Sequence, residues 1–128
     1  MINEQEQKLI AKFVNKAKQD LYLNFLSKEK TRHKFTEELY HFRDFNWNLF
    51  REIPGSESER ETVAAEVNKK KISTCYVISV DHAYDGKFVP VDEAIEDIIG
   101  TEGTILVFGG ADFIYYEGKA PSRRYISI

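Results

Sequence analysis

Two carboxylates and an imidazole fall within five residues at Asp81-His82-Ala83-Tyr84-Asp85, closed by Gly86. Such a group can bind a cation or share a proton, and a loop that leaves a strand carries its side chains on a rigid base. Set against the EF-hand pattern, a calcium loop begun at Asp81 matches at Asp85, Gly86 and, with a shorter acid, Asp92. It places Ala83 and Val89 where ligands are needed, and the preceding stretch reads as a strand. Asp81, His82 and Asp85 thus stand as catalytic candidates for a metal-dependent or acid/base enzyme. The competing reading is a solvated turn in which Asp85-Gly86 supplies left-handed backbone.

Other chemistry-bearing residues point toward interaction. Cys75 lies inside an apolar strand pattern with no local activator, the setting of a small packing residue. His33 and His41 fit solvated helix faces. No nucleophile elbow, zinc-protease pair, P-loop or dinucleotide fingerprint occurs, and no cofactor or metal is expected. Lys28, Lys30, Arg32 and Lys34 crowd the start of a helix, where positive charge opposes the macrodipole, so they form a candidate anion-binding group. Glu29, Glu37 and Glu38 are near enough to pair with them. Between His41 and Phe50 four large rings fall outside any helical period. Either they close the core, or Phe45, Trp47 and Phe50 with Arg43 and Arg51 anchor a partner, these being residue types favoured at hot spots.

The elements that must position these groups change period along the chain. Leu9, Ile10, Phe13, Val14, Ala17, Leu21, Phe25 and Leu26 predict one long amphipathic helix. A second helix is expected after Ser27 as N-cap, with Phe35, Leu39 and Phe42 on its buried stripe. Ser56-Glu57-Ser58-Glu59 suits a capping box for a third, closed by Lys69-Lys70-Lys71. From Thr74 to Val80 β-branched and aromatic residues predict an interior strand covered by helices on one side. Asp85-Gly86 turns into Lys87-Phe88-Val89, Pro90 ends pairing, and Val91, Ile95 and Ile98 mark a short helix stopped by Gly100. Residues 104–108 and 113–116 flank Gly109-Gly110-Ala111-Asp112 as a hairpin, with Phe108 paired to Phe113 on one face and Ile105, Val107 and Ile114 on the other. A final strand over 124–128 places Ile126 and Ile128 on an edge, which expects a symmetric homodimer or a terminus covered by the N-terminal helices.

Composition bounds the reading. The 128 residues are 42% hydrophobic and 30% charged, the profile of a single globular domain. Residues 1–56 hold 10 Lys and Arg against 8 Asp and Glu, and residues 57–128 hold 8 against 13, so an acidic second part faces a mildly basic first. Neither has the basic field that nucleic-acid binding uses, whereas the acidic part can steer a basic protein partner. One cysteine permits no internal disulfide, the start is polar, and no run of about 18 apolar residues occurs, so the expectation is a cytoplasmic protein without signal peptide or membrane span.

Arg32-His33-Lys34-Phe35 to Leu39-Tyr40-His41-Phe42, with Tyr76-Val77-Ile78-Ser79, the helix from Ala94-Ile95 to Gly100, and Tyr115-Tyr116-Glu117-Gly118 to Arg124-Tyr125-Ile126, resembles a group of small uncharacterised bacterial proteins. The resemblance implies a bacterial cytoplasmic source and transfers no site residue. Size and acidic second part are also similar to those of small immunity proteins. The sequence is therefore read as one α+β domain, its helical part about 3–71 and its sheet part about 73–128. N-terminal helices pack on a mostly antiparallel sheet of four or five strands interrupted by one short helix. Its expected function is that of a non-catalytic protein-binding module of immunity or regulatory type.

Overall fold

In the computed structural model, which describes residues 3–119 and 124–127, the long helical stripe is split in two. Helix α1 (Glu4–Phe13) starts at Asn3, whose Oδ1 accepts the Glu6 N–H at 2.9 Å. At Val14 the chain turns extended and bridges Phe45, with Asn15 N–H on the Asp44 carbonyl and Asn46 N–H on the Phe13 carbonyl, both 2.8 Å. That long-range pairing wins over helix continuation. Gln19 Nε2 then donates to the Val14 carbonyl, satisfying an acceptor the broken helix leaves open. Helix α2 (Gln19–Ser27) resumes with a new phase: Tyr22 and Leu26 are buried, while Ala17 and Leu21 from the expected stripe are exposed. Ser27 is the last residue of α2 and donates to the Asn24 carbonyl; α3 (Glu29–Thr36) begins after extended Lys28 with no side-chain cap. A 3-10 turn at Glu37–His41 carries Leu39 into the core.

Six strands form the sheet, one or two more than expected, in the order β1-β6-β5-β4-β2-β3 with every pairing antiparallel. The extra strand is β1 (Phe50–Glu52), drawn from the aromatic segment. Helix α4 (Glu59–Lys70) follows; its N-cap is Ser58, whose Oγ accepts the Glu61 N–H, so the cap sits two residues later than the expected Ser56. Strand β2 (Thr74–Ser79) pairs with β3 (Phe88–Pro90) and β4 (Thr104–Phe108). Between β3 and β4 run a single α-turn, α5 (Val91–Glu93), and a π-helical turn, Ala94–Ile98. Strand β5 (Phe113–Glu117) completes the hairpin, with Phe108 and Phe113 paired and stacked at 4.6 Å. Strand β6 (Arg124–Ser127) lies between β5 and β1, so Ile126 is 2% exposed inside the sheet and offers no edge to a second copy; Ile128 lies outside the described residues.

The sheet buries both faces, not one. Tyr76, Ile78, Ile105, Val107, Ile114 and Tyr116 meet α1, α2, α3 and the 3-10 turn, while Cys75, Val77, Leu106, Phe108, Phe113 and Tyr115 meet α4 and the 91–98 segment. Central strands closed on two sides read as continuous apolar runs, which is what β4 and β5 show. Among the described residues no helix is long and apolar enough to cross a membrane.

Candidate functional site

Four separate elements meet at Arg32. On α3 its guanidinium faces inward: Nε and Nη2 donate to Asp85 Oδ2 and Oδ1 at 2.7 and 3.0 Å, and Nη1 donates to Glu6 Oε2 of α1 at 2.6 Å. Tyr76 Oη of β2 donates to the same Glu6 oxygen at 2.7 Å. Asp85 is aimed by its own loop, since Oδ1 also accepts the Ser79 N–H at 2.9 Å. Gly86, at φ +76°, returns the chain to β3; the left-handed backbone alone selects glycine there, since an added Cβ would meet nothing closer than an ordinary contact with Tyr76 Oη at 3.8 Å. Burial works to lower the Arg32 pKa, but the hydrogen bonds to Asp85 and the Glu6 charge outweigh it and move it upward. Burial first, then the Glu6 hydrogen bond and charge, raise the Tyr76 phenol.

This junction is not sealed. A cavity of about 390 Å³ is bounded by Glu6, Ser27, Glu29, Arg32, Tyr76 and Gly86 among others. A smaller one, about 170 Å³, shares Glu29, Arg32 and Asp85 and adds His33, Ser79 and His82. Tyr76 also touches the sheet edge: Phe88 of β3 is its cross-strand partner, the rings lie 4.8 Å apart, and Phe88 is 58% exposed.

The structure separates the residues singled out in the sequence. Asp85 joins Arg32, whereas Asp81 is exposed and closes its own turn, its Oδ1 accepting the Ala83 N–H at 2.9 Å. His82 is exposed on the wall of the smaller cavity. Among the described residues no group of three or more His, Cys, Asp or Glu side chains is placed to hold a metal ion. Cys75 is buried, and burial pushes its thiol far up. Of the expected anion-binding group, Lys28, Lys30 and Lys34 are exposed, but Arg32 is turned inward onto two carboxylates of the same chain. Of the expected partner-binding group, Phe45 is 2% exposed in the core beside Phe42, and so is no surface anchor. Trp47 is half-buried against Tyr125 at 4.7 Å and donates its Nε1–H to the Arg43 carbonyl; Phe50 is half-buried in β1. Arg43 and Arg51 are exposed, Arg51 in an ion pair with Glu57.

Sequence reasoning missed Glu6, Tyr76 and Phe88. Glu6 left a signal, because it sits three and four residues before Leu9 and Ile10 and therefore on the apolar face of α1. An acid there needs a buried partner. Two other polar clusters stand apart from this junction. Tyr22 Oη meets the carboxylates of Glu38 and Asp44, and burial followed by these hydrogen bonds raises its pKa. On the other sheet face Tyr115 Oη donates to Glu117 at 2.7 Å. Past β3 the exposed carboxylates of Asp92, Glu93, Glu96 and Asp97 have no ion pair among the described residues.

These features define an α+β protein with a six-stranded antiparallel sheet covered on both faces and an open, charge-lined junction at one sheet edge. No family model, curated protein or solved structure matches the chain.

Proposed function

We propose that the protein is a non-catalytic protein-binding module of immunity or regulatory type, and that its partner docks along β3. One observation carries this reading: β3 is a terminal strand of the sheet and presents Phe88, a large ring that is 58% exposed, beside an open cavity. An edge strand can accept another strand through its main chain, and an exposed ring supplies contact area at low entropic cost. The carboxylates of Asp92, Glu93, Glu96 and Asp97 follow directly in the chain and favour a basic partner over nucleic acid. Asp85, the carboxylate best placed among the catalytic candidates, is already engaged by Arg32 and the Ser79 N–H. A single cysteine suits a reducing cytoplasm, and the resemblance to small bacterial proteins suits a bacterial one. With β6 inside the sheet, a homodimer built on strand pairing would have to use β1 or β3.

Purification of the full chain from its native cell, followed by isothermal titration between it and the purified co-purifying protein, tests the reading. Phe88→Ser is expected to weaken binding by about 2 kcal/mol or more with an unchanged thermal midpoint. Equal affinity of variant and wild type would overturn docking at β3.

A further inference from the structure

We infer that the 390 Å³ cavity beside Arg32 receives a lysine or arginine side chain carried by the segment that pairs with β3. The inference rests on the binding reading above and assigns the partner's chemistry. Position comes first. Tyr76 belongs to both features: its ring lies against exposed Phe88, its hydroxyl is bonded to Glu6, and it helps wall the cavity. A strand added along β3 sends alternate side chains to the helical face, where the cavity opens between α1, α3 and the turn at Gly86.

Charge decides which side chain fits. The wall holds three carboxylates, Glu6, Glu29 and Asp85, against one guanidinium, Arg32. Arg32 already spends Nε, Nη1 and Nη2 on Asp85 and Glu6, so its charge is largely met from within the chain. Glu6, whose side chain is 3% exposed, takes both of its donors on Oε2; Oε1 accepts no hydrogen bond among the described residues. Glu6 lines the cavity, and its carboxylate offers an incoming N–H a charge-assisted hydrogen bond. Glu29, exposed and without an ion pair among the described residues, stands on the rim. The volume lies within the ~300–1,000 Å³ range of binding cavities, ample for one extended cationic side chain. An anion would instead face three carboxylates.

The test uses the full chain with n-butylammonium and ethylguanidinium as probes and acetate and phosphate as their anionic counterparts, following backbone amide resonances of Ser27, Glu29 and Gly86 by NMR. The cations are expected to produce saturable shifts that weaken in high salt, and Glu29→Gln should weaken them by about fivefold. Glu6→Gln should weaken them further; should that buried variant fail to fold, Glu29→Gln alone decides. Saturable shifts from acetate or phosphate, or no saturation with either cation, would overturn the inference. Partner binding that falls with Phe88→Ser yet ignores both Glu29→Gln and competing ethylguanidinium also overturns it, while leaving the binding reading intact. Partner binding indifferent to Phe88→Ser removes the reading and the inference together.

Discussion

Each face of the sheet buries a carboxylate bonded to a tyrosine, and the two are built for different ends. On the α4 face Tyr115 donates to Glu117 two residues along the same strand, and the same oxygen accepts the Gly100 N–H at 3.0 Å. The Gly103 N–H reaches the Glu117 carbonyl at 2.8 Å. Glu117 therefore staples the loop after the π-helical turn onto β5, near its own place in the chain. On the helical face Glu6 gathers Tyr76 from 70 residues away and Arg32 from 26, and Arg32 in turn holds Asp85. That second group ties α1, α3, β2 and the β2–β3 loop together and borders a cavity. Burial of a carboxylate alone does not mark a site; the meeting of several elements around accessible volume does.

The comparison can be broken at several points. Alkali has the largest effect. Burial raises the Tyr22, Tyr76 and Tyr115 phenols above their ordinary range, so the fold favours their protonated forms. Stability from these groups is complete below about pH 10, the unfolded value, and is lost as pH climbs beyond it. Absorbance at the phenolate band should show them ionising together with unfolding; a phenol that titrates near pH 10 in the folded protein would mean that its carboxylate staple is open to water. Next, Arg32→Met removes the cation from two carboxylates and should cost about 3–5 kcal/mol in urea unfolding. A cost under about 1 kcal/mol would show that Glu6 and Asp85 are solvated and that the junction is not a structural centre.

Smaller effects separate the two tyrosines. Among the described residues, Tyr115→Phe leaves the Glu117 carboxylate with the Gly100 N–H as its one hydrogen bond and is expected to cost about 1.5–3 kcal/mol, whereas Tyr76→Phe leaves Glu6 bonded to Arg32 and should cost about 1 kcal/mol. The reverse order would contradict the division into a local staple and a multi-element junction. Phe88→Ser, at an exposed edge position, should change stability by no more than about 0.5 kcal/mol.

What could be read in the sequence was what neighbours in the chain decide. The β4–β5 hairpin and its Phe108–Phe113 pair follow from alternation around a short loop, and Asp85-Gly86 announces its turn through glycine's freedom at positive φ. The helix break at Val14 was invisible because its cause, the bridge to Phe45, lies 31 residues on. Strand β1 has three residues and gains its identity only from β6. The rings of 42–50 carry no period, so their burial order, Phe45 inside and Trp47 at the margin, is decided by tertiary packing. Arg32 looked like one more cation in a basic run because its two acids stand 26 and 53 residues away.

Amide hydrogen exchange of the full chain, alone and saturated with its co-purified partner, tests the account most directly. New protection is expected over residues 86–93, at β3 and the turn beside the cavity, with residues 43–51 unchanged. Protection over 43–51 with no change over 86–93 would contradict it and return recognition to the aromatic segment.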